Sequence, residues 1–330
     1  MNVKICIVGA GAIGGLIGVH LAAAGRADVS VLARGAALAA LQAHGWRVRH
    51  AGAETHARVR AENDARSLGV QDVVVIAVKG QALPELMPRL APLIGPETLV
   101  MPAMNGVPWW FCHGVAGFEH RPLRSVDPDG VLSASVRDER IVGCVVHASA
   151  STAQPGVVEH RMGRGLIVGA AQGGHSPRVA EAVDVLRGAG FDVTHSDNIR
   201  RDIWYKLWGN MTINPISAIT GATTDRVLAD PLVQAFCSAA MVEAAAIGAR
   251  IGCTIEQTPQ DRHAITAKLG AFRTSMLQDV EAGRTIELDS LVAAVQEIGR
   301  GLEIATPNID ALLGLSRLFA RVHGLYPEAV

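Results

Sequence analysis

Aromatic side chains are scarce in this chain of 330 residues: five Trp, six Phe and two Tyr, 4% in all. Charged residues are scarce too, at 18% against roughly 25% for an average soluble chain. So little charge beside so much apolar content excludes a disordered, highly charged polymer. The 30 Lys and Arg nearly cancel the 31 Asp and Glu, and a net charge of −1 gives neither nucleic acid nor an anionic membrane a bulk attraction. The five cysteines, Cys6, Cys112, Cys144, Cys237 and Cys253, are odd in number and never form C-x-x-C, which reads as reduced thiols in a cytoplasmic protein. Twelve histidines include no H-x-x-x-H or H-E-x-x-H pair, so no metal centre is expected.

What is plentiful is small and aliphatic. Ala, Val, Leu and 35 Gly dominate a 49% hydrophobic content, suited to strands and helices in close contact. At roughly 100–200 residues per domain the length gives about two domains. One stretch needs a decision: Ile5 to Gly25 holds no Asp, Glu, Lys or Arg. It is long enough to approach a membrane span, and Gly11/Gly15 and Gly14/Gly18 have the spacing of packed membrane helices. Ala22-Ala23-Ala24 also resembles a signal cleavage site.

The neighbours decide otherwise. Lys4-Ile-Cys-Ile-Val8 is a β-branched apolar run, Gly9-Ala10-Gly11-Ala12-Ile13-Gly14 follows directly, and Leu16 to Ala24 has a helical pattern. Asp28-Val-Ser-Val-Leu-Ala33 then alternates as a second strand. This is a βαβ unit, in which Gly9 makes the tight turn, Gly11 lets backbone N–H groups approach a pyrophosphate and Gly14 allows helix and strand to touch. A membrane segment would not explain the second strand. At that strand's end, where an NAD site carries an acid for the ribose, stands Arg34. Its planar cation suits the 2′-phosphate of NADP, and the competing reading is a solvent-facing loop arginine.

Two further strands, Asp72–Val78 and Thr98–Met101, end in Lys79-Gly-Gln81 and Asn105-Gly106. Strand tips of this kind face the ligand crevice of a parallel sheet, or are ordinary polar loops. Residues 107–140 lose all periodicity and read as a loop inserted over the sheet. Strands return at Ile141–Val146, Gly156–Val158, Leu166–Val168 and Phe191–Thr194, with a helix over Pro177–Arg187 between the last two. After Asn198 only helical periodicity remains, at Leu232–Ile251, Asp261–Ala282 and Leu288–Leu302, which places domains at 1–197 and 198–330. In the second, Lys206, Asn210 and Asn214 recur at i, i+4, i+8 in an apolar helix that Pro215 closes. A lysine and two amides on one face suit an oxygen-rich substrate, with the lysine as proton donor; a solvated stripe is the plain alternative. Ser275 reads as a cap or a surface residue, and Glu287 as a helix N-terminal acid.

Taken in order, Gly9-Ala-Gly-Ala-Ile-Gly14, Val78-Lys79, Asn105-Gly106, Lys206-Leu-x-x-Asn210-x-x-x-Asn214-Pro215, Ser275-Met-Leu-Gln-Asp279, Glu287-Leu-Asp289 and Thr306-Pro-Asn308 resemble the ketopantoate reductase (2-dehydropantoate 2-reductase) family over nearly the whole chain. The resemblance implies an α/β fold, a Rossmann dinucleotide-binding domain followed by an all-helical domain. It implies reduction of a 2-oxo acid by NADPH, 2-dehydropantoate to pantoate in pantothenate and coenzyme A biosynthesis. Gly9, Gly11, Ala12, Ile13, Gly14, Arg34, Lys79 and Asn105 would then hold NADPH/NADP+. Lys206 would be the general acid, Glu287 would hold the substrate hydroxyl, and Asn105, Asn210, Asn214 and Ser275 would bind the substrate. The partner implied is a small-molecule 2-oxo acid, with no nucleic acid and no membrane, and the long apolar C-terminal helices are compatible with a homodimer. The 108–140 stretch is longer than in compact members, so another branched 2-oxo acid is the first alternative. A non-catalytic NADP sensor is the second; it accounts for the glycine turn and Arg34 but not for Lys206, Asn210 and Glu287. Trp109, Trp110 and Phe111 suit a pocket wall, a subunit contact or simple packing.

Overall fold

In the computed structural model, which describes residues 2–118 and 121–328, the chain forms two compact units, Met1–Met104 with Asp129–Asp202 and Asn105–Pro128 with Ile203–Val330. In the first unit the β-branched runs become β1 (Val3–Val8), β2 (Ala27–Leu32), β5 (Arg60–Glu62), β6 (Gln71–Ile76) and β7 (Ile94–Pro102). They form one parallel sheet in the order β5-β2-β1-β6-β7. Between β2 and β5 lies a hairpin that its mixed polar sequence conceals, β3 (Trp46–His50) and β4 (Ala53–Ala57). It joins a second sheet with β8 (Val142–Gln154), β9 (Val157–Ala170) and β10 (Asp192–His195), where β9 pairs with β8 antiparallel and with β3 and β10 parallel.

Helix α1 (Ala12–Ala24) packs against β1 and β2 of the first sheet and against β3, β4, β8 and β9 of the second. Its middle, Gly14 to Leu21, is wholly buried. A helix apolar all round must be covered all round, and here two sheets do the covering. Trp46 requires the small residues: a Cβ on Gly18 would stand 2.4 Å from its ring, and one on Gly15 would meet Val158 at 2.5 Å. The GxxxG spacing therefore serves contact between a helix and a sheet. The shorter helices α2 (Gly35–His44), α3 (Leu83–Leu86) and α4 (Val131–Ser135) and the helix α5 (Pro177–Gly188) complete this unit.

The second unit holds α6 (Ile199–Thr220, from Ile203 onward), α7 (Thr224–Ala229), α8 (Pro231–Arg250), α9 (Pro259–Ala267), α10 (Ser275–Glu281), α11 (Ala294–Gly301) and α12 (Pro307–Val322). Three expectations change. The helix expected over Asp261–Ala282 breaks into α9 and α10 around Gly270, whose φ is +61°. The helix expected to start at Leu288 opens with a π turn, Asp289–Ala293. The largest correction concerns residues 107–140, which do not form one loop inserted in the first domain: 105–128 belong to the helical unit, and only 129–140 to the sheet unit. Side-chain burial explains why. Trp109, Trp110 and Phe111 are all at most 1% exposed, and Phe111 stacks on Trp204 with ring centroids 5.7 Å apart. The Glu297 carboxylate accepts from the backbone N–H groups of Arg124 and Ser125 at 2.7 and 2.8 Å, and Gly301 leaves room for the ring of Phe118. The three aromatics are core of that unit. The unit break accordingly falls at Asp202, inside α6, where the sequence suggests residue 197.

By length and composition α8 is apolar enough to cross a membrane; its buried face, Cys237, Ala240, Met241, Ala244 and Ile247, packs among α7, α9, α11 and α12. The Met241 carbonyl accepts from Trp208 Nε1 at 2.7 Å.

Candidate active site

The parallel sheet ends along one edge. Gly9 N–H donates to the Leu32 carbonyl at 3.0 Å, Ala33 N–H to Glu62 at 2.9 Å, Ala77 N–H to Val8 at 2.9 Å and Ala103 N–H to Ile76 at 2.8 Å. Past these bonds the chain leaves every strand at its carboxyl end, and there lie the glycine turn, Arg34 and Lys79. Gly9 has φ +103°, and a Cβ there would press on Val78 at 2.6 Å; one on Gly14 would strike the Gly9 carbonyl at 2.0 Å. Gly11 differs. Its backbone is extended, it caps α1 without a side-chain bond, and a Cβ there would meet nothing within 4 Å. The first turn of α1, with Ala12 and Ile13, carries no acid. Its N–H groups point out of the helix with the positive end of the helix dipole behind them. A turn of this kind can cradle a diphosphate, and it is open where the ligand backbone would approach. Arg34 caps α2, is exposed, and has no ion-pair partner among the described residues, so its charge is available to a phosphate. Lys79 is half-buried and precedes a single helical turn, Gly80–Ala82.

In the second unit α6 runs without interruption to Thr220, five residues past Pro215. The expectation that Pro215 closes the helix is corrected: the ring costs one N–H donor, and burial from Met211 to Ala218 holds the helix together across it. Lys206 and Asn210 are half-buried and Asn214 is 6% exposed, flanked by the buried Trp204, Leu207, Trp208 and Met211. A solvated stripe would be exposed at all three positions. Lys206 Nζ donates to Asn105 Oδ1 at 2.8 Å, which joins two residues 101 positions apart in sequence. Glu287 is half-buried and stands just before the helical turn that starts at Leu288. Two residues on, burial pushes the Asp289 carboxyl above its usual range while the Tyr326 hydroxyl donates to it. Ser275 is exposed, and the cap of α10 is its neighbour: Thr274 Oγ1 accepts from Leu277 N–H at 3.1 Å.

The structure thus places Asn105, Lys206, Asn210, Asn214, Ser275 and Glu287 in one unit and the glycine turn, Arg34 and Lys79 in the other. It brings Lys206 and Asn105 into contact. It also shows a contact that the sequence does not signal, between Gly106 and Ser290. The Gly106 Cα lies against Ser290, whose carbonyl accepts from Val107 N–H at 2.8 Å. A glycine after a strand-end asparagine was visible, but its partner, some 180 residues on in a π turn, was not.

Comparison with known proteins also divides the chain in two, but keeps residues 105–128 with the first part. The family model for ketopantoate reductase PanE/ApbA matches residues 5–173, and the model for the C-terminal part of that family matches 198–320. The chain is 43% identical over 324 residues to a 2-dehydropantoate 2-reductase of Mesorhizobium japonicum, covering 98% of this chain and 99% of the relative. Among solved structures it is similar to a protein of Ralstonia solanacearum MolK2 described as a ketopantoate reductase, with 52% identity, a TM-score of 0.94, and coverage of 99% and 100% of the two chains. A dimeric ketopantoate reductase from Staphylococcus aureus shares the fold at 19% identity and a TM-score of 0.73, over 97% of this chain and 100% of that one.

Proposed function

The chain belongs to the ketopantoate reductase family, and on that premise we propose that it reduces 2-dehydropantoate to pantoate with NADPH. The observation that carries the reading is the Lys206 ammonium, half-buried on an apolar helix and held by the amide oxygen of Asn105. NADPH, when bound, supplies the hydride. The glycine turn and the first N–H groups of α1 would hold its diphosphate, Arg34 its 2′-phosphate, and Lys79 and Asn105 its substrate-facing end.

Every other part falls to side chains of the helical unit. Lys206 hydrogen-bonds the 2-oxo oxygen, stabilises the negative charge that grows there and delivers the proton that completes the alcohol. Asn105 keeps the ammonium in place while it does so. Glu287 accepts from the substrate's own hydroxyl, two carbons beyond the carbonyl carbon, and fixes which way round the substrate lies. Asn210 and Asn214, with their amide donors, and Ser275 bind the remaining oxygens. A cytoplasmic location belongs to the same reading and agrees with five buried cysteines that form no disulfide among the described residues. So does a homodimer: α12 exposes Leu315, Leu318 and Val322, at i, i+3 and i+7, and this apolar stripe suits a second copy of the chain. Light scattering of the protein and of Leu318→Glu separates a dimer that the variant splits from a monomer that it leaves unchanged.

The test of the activity is NADPH oxidation with 2-dehydropantoate against a panel of branched 2-oxo acids. Preference for 2-dehydropantoate supports the reading. Turnover of a different acid alone keeps the chemistry and changes the substrate, and turnover of none leaves the cofactor sensor.

A further inference from the structure

Asn105 stands beside Lys206 because of what comes after it. Gly106 has φ +83°, and a Cβ there would lie 2.6 Å from the carbonyl carbon, the oxygen and the Cβ of Ser290. One residue later the Val107 N–H donates to that same Ser290 oxygen at 2.8 Å. Ser290 itself is buried and sits in the π turn, in which Ala294 N–H reaches back five residues to Asp289. Such turns are uncommon and concentrate at functional sites. The Ser290 hydroxyl has no hydrogen-bond partner among the described residues, so its contact with Gly106 is one of shape, with the carbonyl of the same residue as the anchor.

We infer that Gly106 and Ser290 are positioning residues for the proton donor: the π turn is a seat on which the chain at 106–107 rests, and the seat sets Asn105 so that its Oδ1 meets Lys206 Nζ. Because Glu287 lies three residues before Ser290, the same seat fixes the acid and the hydroxyl-binding carboxylate in one frame. The inference rests on the function proposed above for Lys206.

Gly106→Ala, Asn105→Ala and the double variant in the full chain test it, with NADPH and 2-dehydropantoate. Misplacing a reacting group by about 1 Å costs on the order of 100-fold. Each single variant is therefore expected to lose about tenfold or more in kcat, and any rise in KM for NADPH in Gly106→Ala should be no larger than the rise in Asn105→Ala. A residue that acts only through Asn105 has nothing left to disturb once the amide is gone, so the double variant should be no slower than Asn105→Ala alone. Additive losses, or an undiminished kcat in a folded Gly106→Ala protein, overturn the inference. If Gly106→Ala does not fold, Ser290→Thr, one methyl group on the same contact, is measured in its place and must show the same non-additivity. Should the parent protein not reduce 2-dehydropantoate, it is the function that fails. The seat is then judged by the crystal structure of Gly106→Ala or Ser290→Thr, whichever folds, where retention of the 2.8 Å bond between Lys206 and Asn105 counts against it.

Discussion

Lys206 Nζ donates to Asn105 Oδ1 at 2.8 Å, an ammonium on a helix held by an amide just past a strand. On the proposed function, removing the ammonium removes the proton donor and leaves the fold of the dinucleotide unit untouched. Lys206→Ala should lower kcat by about 10²- to 10⁴-fold with little change in the KM for NADPH or in the melting temperature. Steady-state kinetics beside a thermal melt checks this; retained turnover in a folded variant would contradict the acid role.

Arg34 is exposed at the carboxyl end of β2, with no acid at that strand end. A charge-assisted bond to the 2′-phosphate is worth about 1.5–3 kcal/mol, so Arg34→Asp should raise KM for NADPH about 10- to 100-fold. KM for NADH, which lacks that phosphate, should fall or hold steady. An unchanged ratio of the two would remove the phosphate from the assignment.

Gly18 is pressed against Trp46, with 2.4 Å between the ring and the place a Cβ would occupy. Gly18→Ala should destabilise the protein by about 1–3 kcal/mol, as overpacking in a close-packed core does, and Trp46→Leu added to it should recover part of the loss. Urea unfolding of the three proteins measures both.

His20 sits on α1 with its ring edge-on to Phe191, centroids 5.6 Å apart, and its buried Nε2 has no hydrogen-bond partner among the described residues. Burial first, then the charges of Arg164, His160 and His50, lower its pKa from 6.5 to about 4. Between those values the unfolded chain takes up a proton that the folded protein refuses. The contribution is thus complete above pH 6.5 and is lost as the pH falls toward about 4. From about pH 7 to pH 5 the unfolding free energy should drop by at most about 2 kcal/mol on account of this group, and His20→Leu should show a shallower decline. Equal slopes in the two proteins would show that His20 carries no such linkage.

How legible was this in the sequence? Four strands of the parallel sheet were, because buried strands must be continuous β-branched runs and the glycine turn marks where the first one ends; the three-residue edge strand β5, Arg60–Glu62, was not. The hairpin Trp46–Ala57 was not, since Arg49, Glu54 and His56 face water and the half-buried Arg47 adds a further charge that breaks the apolar signal. The register of Lys206, Asn210 and Asn214 follows from helical spacing alone. Residues 105–128 went astray for a physical reason: irregular chain has no period, and what binds it to the helical unit is aromatic burial and backbone bonds to distant residues such as Glu297 and Ser290. Local pattern carries no record of such partners. Pro215 misled for the opposite reason, a strong local signal overridden by packing.

The placement of α1 between two sheets governs when the nucleotide turn can form. The glycine turn is complete by residue 14, yet one face of its helix waits for Trp46 and then for Val158. Contacts of such sequence separation form slowly, and they form late on a chain made from its N-terminus. On the ribosome the glycine turn therefore emerges well before the residues that make its helix rigid. A chain truncated before β9 should expose an apolar helix and recruit chaperones before it could hold a nucleotide.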